Sequence, residues 1–154
     1  MTRIACWLLA CALGCAAADQ NEKENVVAAV NKLFQGMSAG DAEMVAASMT
    51  ADAKLIAVQD DKVTTRSGAD FAQRIGSAPK GSLLERIWEP TVLIRGGIAA
   101  VWAEYDFHSN GKFHHCGIDA FLLVKTGGEW KISSIEYTTE TQGCKPSPLG
   151  PPQK

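Results

Sequence analysis

The sequence is poor in the features that usually announce a chemistry. Cysteine is scarce where it would count. Of five cysteines, Cys6, Cys11 and Cys15 fall in an apolar N-terminal stretch, and only Cys116 and Cys144 fall in the region expected to fold. No CxxC spacing links them, which removes the familiar zinc and thiol-redox signatures. No glycine-rich phosphate loop is present, because Gly96-Gly97 and Gly127-Gly128 read as turns between strands. No serine or cysteine stands in a recognisable nucleophile motif. There is no basic cluster, and the formal charge of −2 argues against a nucleic-acid or anionic-membrane partner. The one long apolar run, Ile4 to Gly14, is too short to span a bilayer. There are no internal repeats.

What is present begins with that run. Arg3 precedes it, the small residues Ala16-Ala17-Ala18 follow it, and polar Asp19-Gln20 come next. This is the layout of a secretory signal peptide over residues 1–18. Ala12-Leu13-Gly14-Cys15 loosely matches a bacterial lipobox, so lipidation at Cys15 is a second reading, and an uncleaved anchor a third. Without lipidation no membrane partner is expected. Export would put Cys116 and Cys144 in an oxidising compartment, where two cysteines imply one disulfide. Two free thiols are the alternative.

At 154 residues and 46% apolar, the chain suits a single domain with an ordinary core. Val26, Val30, Leu33, Phe34 and Met37 recur at helical spacing and predict an amphipathic helix over 22–38. Asp41 can cap a second helix carrying Met44, Val45 and Met49. Short strands are expected at 54–59 and 63–66. Ser67-Gly68-Ala69-Asp70 has capping-box spacing ahead of a helix bearing Phe71 and Ile75. Four long strands follow, at 84–95, 98–108, 113–125 and 129–139. Asn110-Gly111 and Gly127-Gly128 supply tight hairpin turns. Pro146, Pro148, Pro151 and Pro152 mark a loose tail over 144–154.

Helices followed by a long meander indicate an α+β fold. The order of elements, with the stretches "GDAEMVAASMTADAKL", "AAVWAEYDF" and "HCGIDAFLLVKTGGEWKI", resembles the nuclear transport factor 2-like superfamily, which includes SnoaL-like and ketosteroid-isomerase-like proteins. The resemblance covers residues 22–144 and is similar to an exported bacterial branch of unassigned activity. It implies a cone-shaped α+β barrel over residues 19–143, with N-terminal helices packed in a strongly curved, mostly antiparallel sheet. Its members range from isomerases to binding modules, so the fold does not choose a function. It also implies pairing of the outer sheet face in a homodimer, through Val101, Tyr105, Ile118 and Tyr137.

Uninterrupted hairpins would pair Asp106 with His115, Trp102 with Asp119, and Asp119 with Glu136. Trp102, Glu104, Asp106, His108, His115, Asp119 and Glu136 would then share one face and line the mouth of the cone. A one-residue error would exchange the faces. Asp119, in "GIDAF", falls where ketosteroid-isomerase-like proteins place an acid that hydrogen-bonds an oxyanion. The resemblance also implies a base near the end of the first strand, where Ala57 stands here, and a helix-one tyrosine, where Phe34 stands. Both departures count against steroid-type isomerisation.

His115 across from Asp106 is the remaining acid/base pair. A plain hydrogen-bonded histidine and an ion-paired Asp119 are the structural alternatives. A metal site from His108, His115, Asp106 and Glu104 is conceivable by residue type only, and no metal or cofactor is expected. Three functions stay open. One is an exported module whose pocket, lined by Trp102, Glu104, Asp106 and Glu136, binds a small organic ligand. Another is an acid/base isomerase, dehydratase or hydrolase using Asp119 and His115. The last is a dimeric interaction domain with a vestigial pocket.

Overall fold

The structure is a computed structural model that describes residues 7–152, with side chains from Asp19 onward. The expected leader of residues 1–18, with Cys15, lies outside the residues whose side chains are described.

The elements run α1 (Trp7–Ala39), α2 (Ala42–Ala47), β1 (Met49–Gln59), β2 (Lys62–Ser67), α3 (Gly68–Gly76), β3 (Leu83–Arg95), β4 (Ile98–Ser109), β5 (Lys112–Thr126) and β6 (Glu129–Thr138). Six strands form one sheet in the order β2-β1-β6-β5-β4-β3. Among the described residues, only the β1–β6 pair is parallel. The expected helix over 22–38 is the C-terminal half of α1, and its five apolar positions are all buried. They pack on the concave face of the sheet, where Phe34 meets Phe121 edge-on at 6.0 Å between ring centres. That geometry suits the aromatic quadrupole.

The caps and the Asn110-Gly111 turn form as expected, but Met49, expected on the second helix, begins β1, which starts five residues before the expected 54. Asp41 Oδ1 accepts from the Met44 amide at 2.9 Å. Ser67 Oγ accepts from the Asp70 amide at 3.1 Å and donates to Asp70 Oδ2 at 2.7 Å. Asn110 and Gly111 both adopt positive φ, which a two-residue hairpin turn of this hand requires.

The hairpins do not stay in register. Next to the β4–β5 turn, Ser109 pairs with Lys112 and His108 with Phe113, but Phe107 then pairs with His115. His114 is an extra residue, a β-bulge, and every later pair is offset by one. The β5–β6 hairpin repeats the device. Leu123 pairs with Ile132 and Leu122 with Ser134, so Ser133 is the extra residue, and its Oγ donates to the Leu122 carbonyl at 3.0 Å. Asp119 consequently faces Ala103 and Tyr137, not Trp102 and Glu136.

Because side chains alternate, each offset swaps the faces beyond it. Tyr105, Phe107, His115, Asp119, Ile135 and Tyr137 point into the cone. Trp102, Glu104, Asp106 and Glu136 point out. A third irregularity, at Glu89-Pro90 between the Trp88↔Glu104 and Thr91↔Trp102 pairs, bends edge strand β3. Pro90 is tolerated there because an edge strand need not donate on both sides.

Cys116 and Cys144 form a disulfide with Cα atoms 6.0 Å apart. Cys116 bridges Glu140, one residue beyond the position uninterrupted pairing would give. The segment expected to be a loose tail is thus held at Cys144, and again where Arg86 Nη1 donates to the Gly150 carbonyl at 3.0 Å.

Candidate functional site

Between α1, α3 and the inner face of the sheet lies a cavity of about 140 Å³. Leu33 and Met37 come from α1 and Phe71 and Ile75 from α3, and they make one side apolar. Strands β3, β4, β5 and β6 supply Glu85, Tyr105, Phe107, His115, Asp119 and Tyr137. No lysine or arginine lines it among the described residues.

Asp119 is 1% exposed. Its carboxyl lies within hydrogen-bonding reach of Glu85, while its Oδ2 has no hydrogen-bond partner among the described residues. Burial, then the Glu85 charge and the hydrogen bond to it, hold the Asp119 pKa well above the usual carboxylate range. Loss of water raises half-buried Glu85 to about 7, with Asp119 tempering the rise and Asp106 adding to it. Two carboxyls this close cannot both ionise cheaply, so they share a proton. Their mutual hydrogen bond raises Asp119 and lowers Glu85, so Asp119 holds that proton and Glu85 accepts it.

His115 stacks on Phe107 at 4.9 Å between ring centres, and its Nδ1 lies 2.8 Å from Nδ1 of His114. One imidazole must donate to the other. Burial, then the nearby His114 charge, lowers the His115 pKa to about 4, so the ring is neutral at physiological pH. The Tyr105 hydroxyl donates to the Thr138 carbonyl at 2.7 Å. Burial raises the Tyr137 pKa, with Arg66 pulling the other way, so its hydroxyl keeps its proton.

Of the side chains expected to share a cavity, the structure brings together Asp119 and His115. It sends Trp102, Glu104, Asp106 and Glu136 to the other face, and the cause is the extra residues His114 and Ser133. Trp102 is 58% exposed. Glu104 lies 3.5 Å from Lys145, and Glu136 sits beside Ala120 on the outer face. The expected His115–Asp106 pair is replaced by another partnership. Arg86 Nε donates to Asp106 Oδ1 at 2.9 Å, with a second bond from Nη2 to Oδ2, and His108 Nε2 lies 3.3 Å from Oδ2. Burial works against the Asp106 carboxylate, but Arg86 and His108 outweigh it and keep its pKa low. With His115 inside and His108, Asp106 and Glu104 outside, the four cannot meet on one metal.

Glu85 was absent from the sequence-level candidates. Its signal was the alternation Leu83, Glu85, Ile87, which puts an acid in an otherwise apolar inner row. The two tight hairpins fix faces only for β4, β5 and β6, and β3 belongs to neither.

A family model described as "Putative lumazine-binding" matches residues 21–138. No curated protein matches the chain. Among solved structures, a nuclear transport factor 2-like protein of unknown function from Shewanella baltica is 22% identical, with 79% of this chain and 96% of that one covered and a TM-score of 0.62. A cystatin-like-fold member from Novosphingobium aromaticivorans is 15% identical over 86% of this chain and 90% of that one, with a TM-score of 0.67. A Streptomyces avermitilis structure titled "putative dehydratase" is 18% identical over 79% and 97%, with a TM-score of 0.63.

Proposed function

Since the chain belongs to the family described as "Putative lumazine-binding", within the nuclear transport factor 2-like superfamily, we propose that it binds a small organic ligand in the cavity beneath Asp119. The observation that carries this reading is Asp119 Oδ2, a buried oxygen without a partner on the wall of an apolar cavity. Such an atom costs roughly 1–3 kcal/mol when left unsatisfied. A ligand with a hydrogen-bonding edge would recover that. A dry cavity of about 150 Å³ accommodates benzene, so the space suits one ring, with further atoms reaching the mouth. Export fits the same reading and is supported by the disulfide.

The test is a thermal-shift and calorimetric panel of ring compounds that includes lumazine. A compound that binds should bind about tenfold more weakly to Asp119→Leu, and Asp119→Asn should retain more of the affinity. Unchanged affinity in Asp119→Leu overturns the reading.

A second reading, acid/base catalysis, is favoured by Glu85 at about 7 beside a proton-bearing Asp119. A base near ambient pH next to a neutral acid can move a proton between two atoms of one ligand. In that case Asp119 and Glu85 are the pair, with His115 a neutral neighbour. Turnover of any ligand found, lost in Glu85→Gln with binding retained, would establish it.

A further inference from the structure

We infer that the cavity selects a positively charged single ring with paired N–H donors, of the aromatic amidinium class, over neutral and anionic rings of the same shape. The inference rests on the ligand-binding reading above and adds the ligand's charge and polar edge.

Charge inventory is the first ground. The lining offers two carboxyls, two tyrosines and one histidine, with no ammonium or guanidinium in it among the described residues; Arg66 is outside the lining and its charge is felt at Tyr137. Arg86 is next in sequence to Glu85 but lies on the opposite face, where it is bound to Asp106. Glu85 and Asp119 sharing one proton leave a single negative charge in a poorly hydrated space. A buried charge without a partner is costly, and a bound cation offsets that cost. A bound carboxylate or phosphate would add a second negative charge to the first.

Geometry is the second ground. Asp119 Oδ2 is buried and unpartnered, and Glu85 lies within hydrogen-bonding reach of the Asp119 carboxyl. An amidinium carries paired N–H donors, so one such ligand can address both carboxyls at once. His115 lines the same cavity four residues before Asp119 on β5, and its Nδ1 is engaged by His114. Opposite the acids, Leu33, Met37, Phe71 and Ile75 provide apolar walls for a ring.

Benzamidine, benzamide and benzoate differ little in shape and carry charges of about +1, 0 and −1 at pH 7.5. Calorimetry on the wild-type protein should rank benzamidine at least about tenfold tighter than benzamide, with benzoate weakest. Glu85→Gln should bring benzamidine and benzamide to within about threefold of each other. That ratio is read on a variant first checked for an unchanged circular dichroism spectrum. The wild-type ranking stands as a test without the variant. Benzoate or benzamide binding as well as benzamidine overturns the inference but leaves the ligand-binding reading intact. No binding by these three, toluene or lumazine overturns both.

Discussion

The acid in the cavity and the histidine beside it should pull stability in opposite directions as pH changes. Glu85 has a folded-state pKa of about 7, above its ordinary 4.5. Its contribution to stability is complete below 4.5 and is lost as pH rises through 7. His115 has a folded value of about 4, below its ordinary 6.5. Its contribution is complete above 6.5 and is lost as pH falls through 4. Asp119, also raised, loses its contribution in the same direction as Glu85, so the melting temperature should peak at about pH 4–5 and fall as pH rises toward 7. In Glu85→Gln the alkaline limb should flatten, raising Tm at pH 8 by a few degrees relative to wild type. In His115→Phe the acid limb should flatten. Parallel curves for wild type and both variants would contradict the assignment. A different residue, Gly117, is held by sterics alone, since a Cβ there would run into the Thr138 carbonyl oxygen. Gly117→Ala should cost about 2–3 kcal/mol, read as a lower denaturation midpoint at unchanged m-value.

At the scale of elements, the sequence disclosed the helices and strands well and the faces badly. Helical spacing from Val26 to Met37, the caps at Asp41 and Ser67 and the turn at Asn110-Gly111 are local signals that tertiary contacts did not override. A bulge has no comparable signature. His114 and Ser133 are ordinary strand residues, and their exclusion from pairing goes with the bend and added twist that a bulge gives its strand. Each displaces the pattern beyond it by one, enough to send Trp102, Glu104, Asp106 and Glu136 outside and bring Tyr105, Phe107 and Tyr137 in. Asp119 and His115 were recovered in the cavity because they keep the same parity on β5, both lying beyond the bulge at His114. The bulge also sets adjacent histidines side by side. Deleting His114 should restore uninterrupted pairing near the turn and carry Phe107 or His115 to the wrong face. Loss of the cavity should show as abolished ligand binding and a Tm lower by more than about 5 °C, whereas His114→Ala should leave both nearly unchanged.

Over the whole molecule, the exchange of faces changes which residues could join two copies. Val101 and Tyr105, expected on the outside, are buried, and Tyr137 lines the cavity. The outer surface instead carries Leu93, Ile98, Trp102 and Leu122, each at least 45% exposed, with Ile118 further along β5. Strand pairing makes these neighbours a continuous apolar patch of the kind that usually marks an interface. A symmetric dimer through it should bury about 800 Å² per subunit, and Trp102→Asp should shift sedimentation at tens of micromolar from dimer to monomer. Wild-type protein sedimenting as a monomer there would refute it. The Cys116–Cys144 bond closes a 28-residue span and should contribute about 3.6 kcal/mol, read as a lower midpoint on reduction. It has a kinetic consequence too. With Cys144 fixed, the stretch from Lys145 to Gly150 can leave Arg86 but cannot diffuse away, so its return is a first-order event at an effective concentration in the millimolar range. A free peptide of the same sequence would have to reach millimolar levels to compete for that position while the sulfurs stay joined, and about threefold less once they are parted, because the backbone from Thr138 onward still tethers the tail.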